Sequence, residues 1–395
     1  MLAATLNPSN RLGRLMAGTL VSRTGEWMDL VTLNWVALQM TGSPLHLALI
    51  NACRLVPTFL MSVPAGILAD RYDRGHLLML TQALSAALTL ALALTAATST
   101  SFWLFAGVVT LRAMASAMDA PIRSALIPQL AGTDQVARAV AMQATLLSMS
   151  RILGPALGGL LMGTLGAPMV FALSAGLIAL ALPLTAGIRP GAPPRPATSG
   201  AGLSEAIGYL KTEPLLQALM LLAIVPMIFG FPYTAMMPLF AQDVIGLGPE
   251  GLGILLSVTA VGALLGSGRL SVMEEVPHAG RWLIISLLGF GASLMLLMQT
   301  RSLAAAALIM TLVGLSGQTY RTLSRISLQT RVPDHLRGRV MSIALMDRGF
   351  IPLGAMLIGV LAGWSGSWSA GMAMGAGCIG ITLLVLLTNR TILKF

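Results

Sequence analysis

The sequence predicts an all-α membrane protein of twelve transmembrane helices, arranged as two six-helix bundles related by a pseudo-two-fold axis along the membrane normal. Three observations carry that prediction. Only 10% of the 395 residues are charged and 56% are hydrophobic, against about 25% charged in a soluble domain, so lipid must solvate most of the chain. Apolar runs close to the roughly 20 residues a helix needs to cross the hydrocarbon core recur along its whole length. The second half also repeats features of the first, as expected of duplicated bundles.

Taken in order, the runs fall at 16–39, 45–68, 77–98, 102–123, 140–163, 167–187, 215–240, 251–272, 282–300, 302–323, 340–363 and 368–389. Six precede and six follow the polar stretch 188–214, which opens on IRPGAPPRPATSG. Its proline and glycine content excludes a spanning helix, so it reads as a cytoplasmic linker ending in a short interfacial helix around SEAIGYL. The expected organisation is a bundle over 1–187, a linker over 188–214 and a second bundle over 215–395. An offset of 200 residues places Gly154 over Gly354, Gly159 over Gly359 and Gly163 over Gly363, pairing the fifth span with the eleventh.

The formal net charge of +10 would point to nucleic acid in a soluble protein. Here the basic residues alternate with the apolar runs instead. Arg11, Arg14, Arg71, Arg74, Arg123, Arg138, Arg269, Arg281, Arg325, Arg331, Arg337 and Arg339 all lie before the first span or in even-numbered loops, while Arg301 is the basic residue of the other side. By the positive-inside rule both termini face the cytoplasm, in a bacterial inner membrane, and no nucleic-acid partner is expected. The N-terminal stretch MLAATLNPSNRLGR has no apolar core of its own and does not read as a removable signal peptide.

Cys53 and Cys378 each fall inside a span, and His46, His76, His278 and His335 are scattered in or beside loops, so neither a disulfide nor a metal site is expected. Gly246 to Gly251 spells G-x-G-x-x-G but follows no strand, and no phosphate-binding lysine motif accompanies it, so no nucleotide or other cofactor is expected and the chain does not read as an enzyme. Asn389-Arg390-Thr391 matches a glycosylation triplet on the side assigned to the cytoplasm.

Apart from Arg123 and Arg269, which stand at span ends and count with the loops, ten charged groups lie within the spans: Arg23, Glu26, Asp29, Arg54, Arg112, Asp119, Arg151, Arg321, Asp347 and Arg348. A charge at mid-bilayer costs about 2.5–3.5 kcal/mol on insertion scales, so groups kept there are candidates for transport or ion coupling. Arg23, Glu26 and Asp29, at steps of three, sweep about 120° of one helix side. Arg112, Ser116, Asp119 and Arg123 form one stripe at spacings of four, three and four. A proton-driven carrier needs a carboxylate that takes a proton in one environment and yields it when a cation approaches, which fits Glu26 and Asp29 beside Arg23 and Arg112. A permanent neutralised network of the same residues is the competing interpretation. The six arginines outnumber the four carboxylates, so the interior favours an anionic or mixed-charge amphiphile, held by guanidinium forks at Arg54 and Arg151. Met220, Met227, Met236, Met237 and Met346 give the second half an apolar, adaptable character.

Gly66-Ile67-Leu68-Ala69-Asp70-Arg71-Tyr72-Asp73-Arg74, between the second and third spans, resembles the signature loop of the major facilitator superfamily. Val31 to Leu45, Arg112 to Pro128 and RILGPALGG at Arg151 to Gly159 resemble its drug and siderophore exporter branch, which includes the enterobactin exporter and macrolide efflux proteins. The resemblance implies the major facilitator fold, with Gly66, Asp70, Arg71 and Arg74 as a conformational latch, although Asp73 stands where a glycine is usual. It implies that Gly154, Pro155, Gly158 and Gly159 form an antiporter-type motif. Arg112 takes the place of the fourth-span arginine of drug/proton antiporters, with Ala115 and Ser116 replacing the usual glutamine and glycine.

The function expected is export of a small amphiphilic molecule, a siderophore or drug-like compound, by proton antiport and alternating access, in a monomer. Glu26, Asp29, Arg112 and Asp119 are the expected proton-coupling residues, and Arg23, Arg54, Arg151, Asp347 and Arg348 the expected substrate contacts. A lipid or lysophospholipid flippase of the same fold and a non-transporting membrane sensor are the alternatives.

Overall fold

The structure is a computed structural model that describes residues 11–98, 101–132, 135–188, 208–210, 212–271 and 277–394. Most of the expected linker, and with it most of the interfacial helix around SEAIGYL, lies outside them. Eleven helical segments of the described residues are long and apolar enough to cross a membrane. Helix α1, Arg11–Thr41, has 31 residues, ample length for a span, and carries Arg23, Glu26 and Asp29 in its middle. It makes the twelfth.

The other elements of the first half are α2 (Pro44–Arg71), α3 (Arg74–Thr98), α4 (Phe102–Ser116), α5 (Asp119–Ala131), α6 (Val136–Leu165) and α7 (Ala167–Thr185). The second half comprises α8 (Pro214–Phe229), α9 (Tyr233–Leu239) with a π turn over Phe240–Ile245, α10 (Pro249–Ser271), α11 (Ala279–Leu297), α12 (Leu303–Arg331), α13 (Asp334–Leu345), a 3-10 turn over Met346–Gly349, α14 (Phe350–Ser365) and α15 (Ser367–Thr388).

Three spans expected to be continuous are broken, each beside a proline; the seventh turns at Gly230 to Pro232, between α8 and α9. The fourth divides at Ala117 and Met118. Pro121 has no amide to give the Ala117 carbonyl and its ring crowds that oxygen, so the helix restarts at Asp119 and runs on to Ala131 rather than stopping at 123. The eleventh tightens into the 3-10 turn Met346–Gly349, where Pro352 likewise has no amide to give the Arg348 carbonyl, which accepts from the Phe350 amide instead. The interruptions of the fourth and eleventh spans carry charge, Asp119 in one and Asp347 with Arg348 in the other. The tenth span also extends past its expected end at 323 to Arg331, so Arg325 and Arg331 sit on a helix and not in a loop.

The chain forms two compact units. The first comprises Met1–Gly42, Leu49–Arg195 and Gly248–Ser257; the second comprises Ser43–Ala48, Pro196–Leu247 and Val258–Phe395. In the first, Leu15, Met16, Leu78, Ile122, Leu126 and Leu146 join α1, α3, α5 and α6 in one apolar cluster. Arg14, expected only to set topology, caps α7: its guanidinium donates to the carbonyls of Pro183 at 3.0 Å and Ala186 at 2.6 Å, where the helix end is electron-rich. In the second unit, Phe290 packs against Phe231 and Tyr233, with ring centroids 5.2 and 6.2 Å apart.

Glycines let helices touch backbone to backbone. A Cβ at Gly154 would stand 2.9 Å from the Thr24 carbonyl, and one at Gly158 would stand 2.7 Å from that of Met28, so α6 lies directly on α1. A Cβ at Gly354 would likewise meet the Ile228 carbonyl of α8. Gly159 abuts Gly253 in the first unit and Gly359 abuts Pro44 and Ala48 in the second. The third repeated pair breaks the pattern. Gly163 faces the Glu250 side chain, whereas nothing lies near Gly363.

Candidate functional site: a charge network in the first unit

Helices α1, α4 and α5 bring the first unit's charged groups into one polar core. Asp29 is 2% exposed and Arg112 8% exposed. The Arg112 guanidinium grips Asp29 with both terminal nitrogens, Nη1 donating to Oδ1 at 3.0 Å and Nη2 to Oδ2. Such a fork-to-fork pair fixes orientation as well as charge. Arg54 of α2 lies near enough to interact electrostatically with both Asp29 and Arg112, and its Nε is buried with no hydrogen-bond partner. Unlike Arg23, Arg112 and Arg123, it makes no ion pair within 4.0 Å among the described residues.

Nearly two turns back along α1, Arg23 donates to Glu26 at 2.6 Å and to Asp119. Asp119 also accepts from Arg123 Nε at 2.8 Å and 3.0 Å through its two oxygens. Arg123 then donates to Thr19 Oγ1 at 2.7 Å and Ser22 Oγ at 3.3 Å. Read as a topology charge on the sequence, Arg123 is instead among the largest fully buried side chains of the protein. The signal is present in the chain, because Asp119 and Arg123 are four apart on one helix face, but the expected end of the span at 123 hides it. The Arg23 and Glu26 side chains keep 20% and 22% exposure, so this edge of the network is open while Asp29 and Asp119 are sealed.

Arg151 has a different environment: its guanidinium stands over the Trp27 ring at 5.2 Å from the centroid, a cation–π arrangement on α1. Gly154, Pro155, Gly158 and Gly159 form the seam by which α6 packs, as described above. In the signature loop, Asp73 Oδ1 accepts from the His76 amide at 2.8 Å and so caps α3, Arg74 is buried and Arg71 is exposed. The Asp70 side chain lies outside the described residues, and Gly66 has open space around it.

The second unit places Asp347 and Arg348 in a pocket with Arg321, Arg325, Tyr320 and Ser324. Met236 and Met237 are fully buried and so form core and not an open adaptable wall; Met227 borders the pocket.

Residues 9–394 match the family described as transmembrane secretion effector. The chain belongs to this family of major facilitator transporters. It is 31% identical over 371 residues to the staphyloferrin A transporter of Staphylococcus aureus, covering 93% of each chain. It is 24% identical over 380 residues to the multidrug efflux pump Tap of Mycolicibacterium fortuitum, covering 91% of each. Among solved structures it resembles a bacterial homologue of the human lysosomal transporter Spinster (TM-score 0.76, 18% identity, 96% and 97% coverage) and the nucleoside transporter NupG (TM-score 0.72, 14% identity, 98% and 100% coverage). These likenesses establish the major facilitator fold expected from the sequence and a membrane transporter, not an enzyme.

Proposed function

We propose that this transporter exports a small anionic or mixed-charge amphiphile in exchange for protons, by alternating access of its two bundles, as a monomer with both termini in the cytoplasm. The observation that carries the proposal is the unequal partnering of the carboxylates. Asp29 is the counter-ion of Arg112, and neutralising it would strand a buried guanidinium, at a cost of about 3–5 kcal/mol. Glu26 differs. Its partner Arg23 is also held by Asp119, so a proton can take Glu26 without leaving Arg23 unpaired, and Glu26 sits at the open edge of the network.

Glu26 is therefore the proton carrier, Asp29 and Arg112 the switch it acts on, and Asp119 with Arg123 the anchor that keeps Arg23 in place. Arg54 and Arg151 receive the anionic end of the cargo. Arg54, which makes no ion pair within 4.0 Å among the described residues, gains most from a carboxylate fork. Resemblance to a protein named for staphyloferrin A supports a siderophore-like cargo.

Proteoliposomes with a trapped pH dye test this. Staphyloferrin A added under an imposed pH gradient should move protons, and Glu26→Gln should uncouple the two fluxes. Substrate flux indifferent to the gradient would remove the antiport claim. Undiminished transport of ethidium, a permanent cation, by both the wild type and Arg54→Gln would remove the preference for anions.

A further inference from the structure

The second unit contains a group of charges with the opposite character to a neutralised network. Arg321 and Arg325 are four apart on α12, so they share a face, where like charges repel. The 3-10 turn brings Asp347 and Arg348 to the same pocket. Three guanidiniums thus surround one carboxylate. Arg325 and Arg348 are close enough to act on each other, and all three arginines act on Asp347. Yet among the described residues neither the Arg325 nor the Arg348 guanidinium makes an ion pair within 4.0 Å, whereas the first unit's carboxylates do.

The pocket's other polar groups already have partners. Tyr320 donates its hydroxyl to the Leu222 carbonyl at 2.9 Å. Arg321 stands 3.9 Å from the Phe231 ring centroid, which holds its planar head in place. The Arg325 and Arg348 side chains are exposed and available. Like charges packed together weaken the folded chain unless an anion completes them, and two guanidinium forks suit two carboxylates better than one.

We propose that Arg325 and Arg348, steadied by Arg321, form an anion subsite of the second unit for a ligand bearing two or more carboxylates. The assignment rests on the export reading for its cargo and defines that cargo as a polycarboxylate. Asp347 keeps the empty subsite from being fully cationic and repels ligands with a single weak anionic group.

The test is calorimetric titration of the full chain in nanodiscs with citrate, a small tricarboxylate, and with acetate. Citrate should bind, and acetate should bind far more weakly. Arg325→Gln and Arg348→Gln should each weaken citrate binding about tenfold, a change of about 1.4 kcal/mol. Asp347→Asn should tighten it several-fold, a gain that a misfolded protein does not produce. Citrate affinity unchanged in both arginine variants, or weakened by Asp347→Asn, would overturn the subsite. The two proposals fail separately: proton-linked flux lost in Arg54→Gln with citrate affinity intact in Arg325→Gln leaves export standing and removes the subsite. Weakened citrate binding in Arg325→Gln with flux indifferent to the proton gradient does the reverse.

Discussion

The two units treat clustered charge in opposite ways. In the first, Asp29 is matched by Arg112, Glu26 by Arg23, and Asp119 by Arg23 and Arg123 together, with Arg54 left over beside them. In the second, three arginines share one aspartate, and among the described residues Arg325 and Arg348 stay out of ion pairs. A matched network holds its shape without help and changes when a proton removes one partner. An unmatched one is incomplete until an anion arrives. On the functions proposed above, the contrast separates coupling from recognition, and it makes the same substitution, arginine to glutamine, behave differently in the two places.

The largest difference should appear in stability. Arg112→Gln leaves Asp29, 2% exposed, as a buried charge whose fork is gone, and should cost about 3–5 kcal/mol. Arg348→Gln relieves repulsion from Arg325 and should leave the melting temperature unchanged or raised. Thermal unfolding in nanodiscs compares them directly. Equal losses in both variants would mean that Arg348 holds the fold together as firmly as Arg112 does, and the contrast would collapse. The double variant Arg112→Leu with Asp29→Leu should recover most of the stability lost by Arg112→Gln, because replacing both buried charges removes the stranded one.

A smaller effect separates the repeated glycines. A side chain at Gly158 would press on Met28 backbone, its Cβ 2.7 Å from the carbonyl oxygen and 3.0 Å from the Cα, so Gly158→Val should cost about 1–3 kcal/mol through overpacking. Gly363 has nothing within 4 Å, and Gly363→Ala should stay within about 0.5 kcal/mol. The same melting measurement distinguishes them. A neutral Gly158→Val would show that α6 can shift away from α1.

Much of this is legible in the chain. Span count and the Gly154/Gly354 correspondence follow from apolar length and from the need of crossing helices for small residues. The grouping of Arg23, Glu26, Asp29, Arg112 and Asp119 follows from helical spacing and the cost of lone charge in lipid. Arg123 escapes such a reading because hydropathy averages over a window and ends a span at its first polar cluster, whereas Pro121 restarts the helix and carries that cluster inward. Arg325 is hidden for the same reason, at the extended end of α12. The third glycine pair fails for another reason: sequence identity at an offset says that backbones correspond, not that each finds a neighbour. Which carboxylate shares its arginine is not legible at all, since it depends on Arg23 reaching Asp119, 96 positions away.

That last contact sets the finest prediction, in which stability should barely change while coupling is lost. Glu26→Gln removes a charge at the network's half-open edge, and Arg23 retains Asp119. Glutamine keeps a side-chain oxygen that can still accept from Arg23, so the cost should be near that of an exposed pair, about 0–1 kcal/mol. Asp29→Asn, by contrast, leaves the Arg112 guanidinium stranded and should lose several times as much. If Glu26 is the proton carrier, Glu26→Gln vesicles should still exchange substrate down its own gradient while failing to respond to a pH step, and Glu26→Asp should restore part of the response. A Glu26→Gln protein that melts as early as Asp29→Asn would mean that Arg23 depends on Glu26 after all. The network would then be a fixed scaffold, and the proton would have to travel elsewhere.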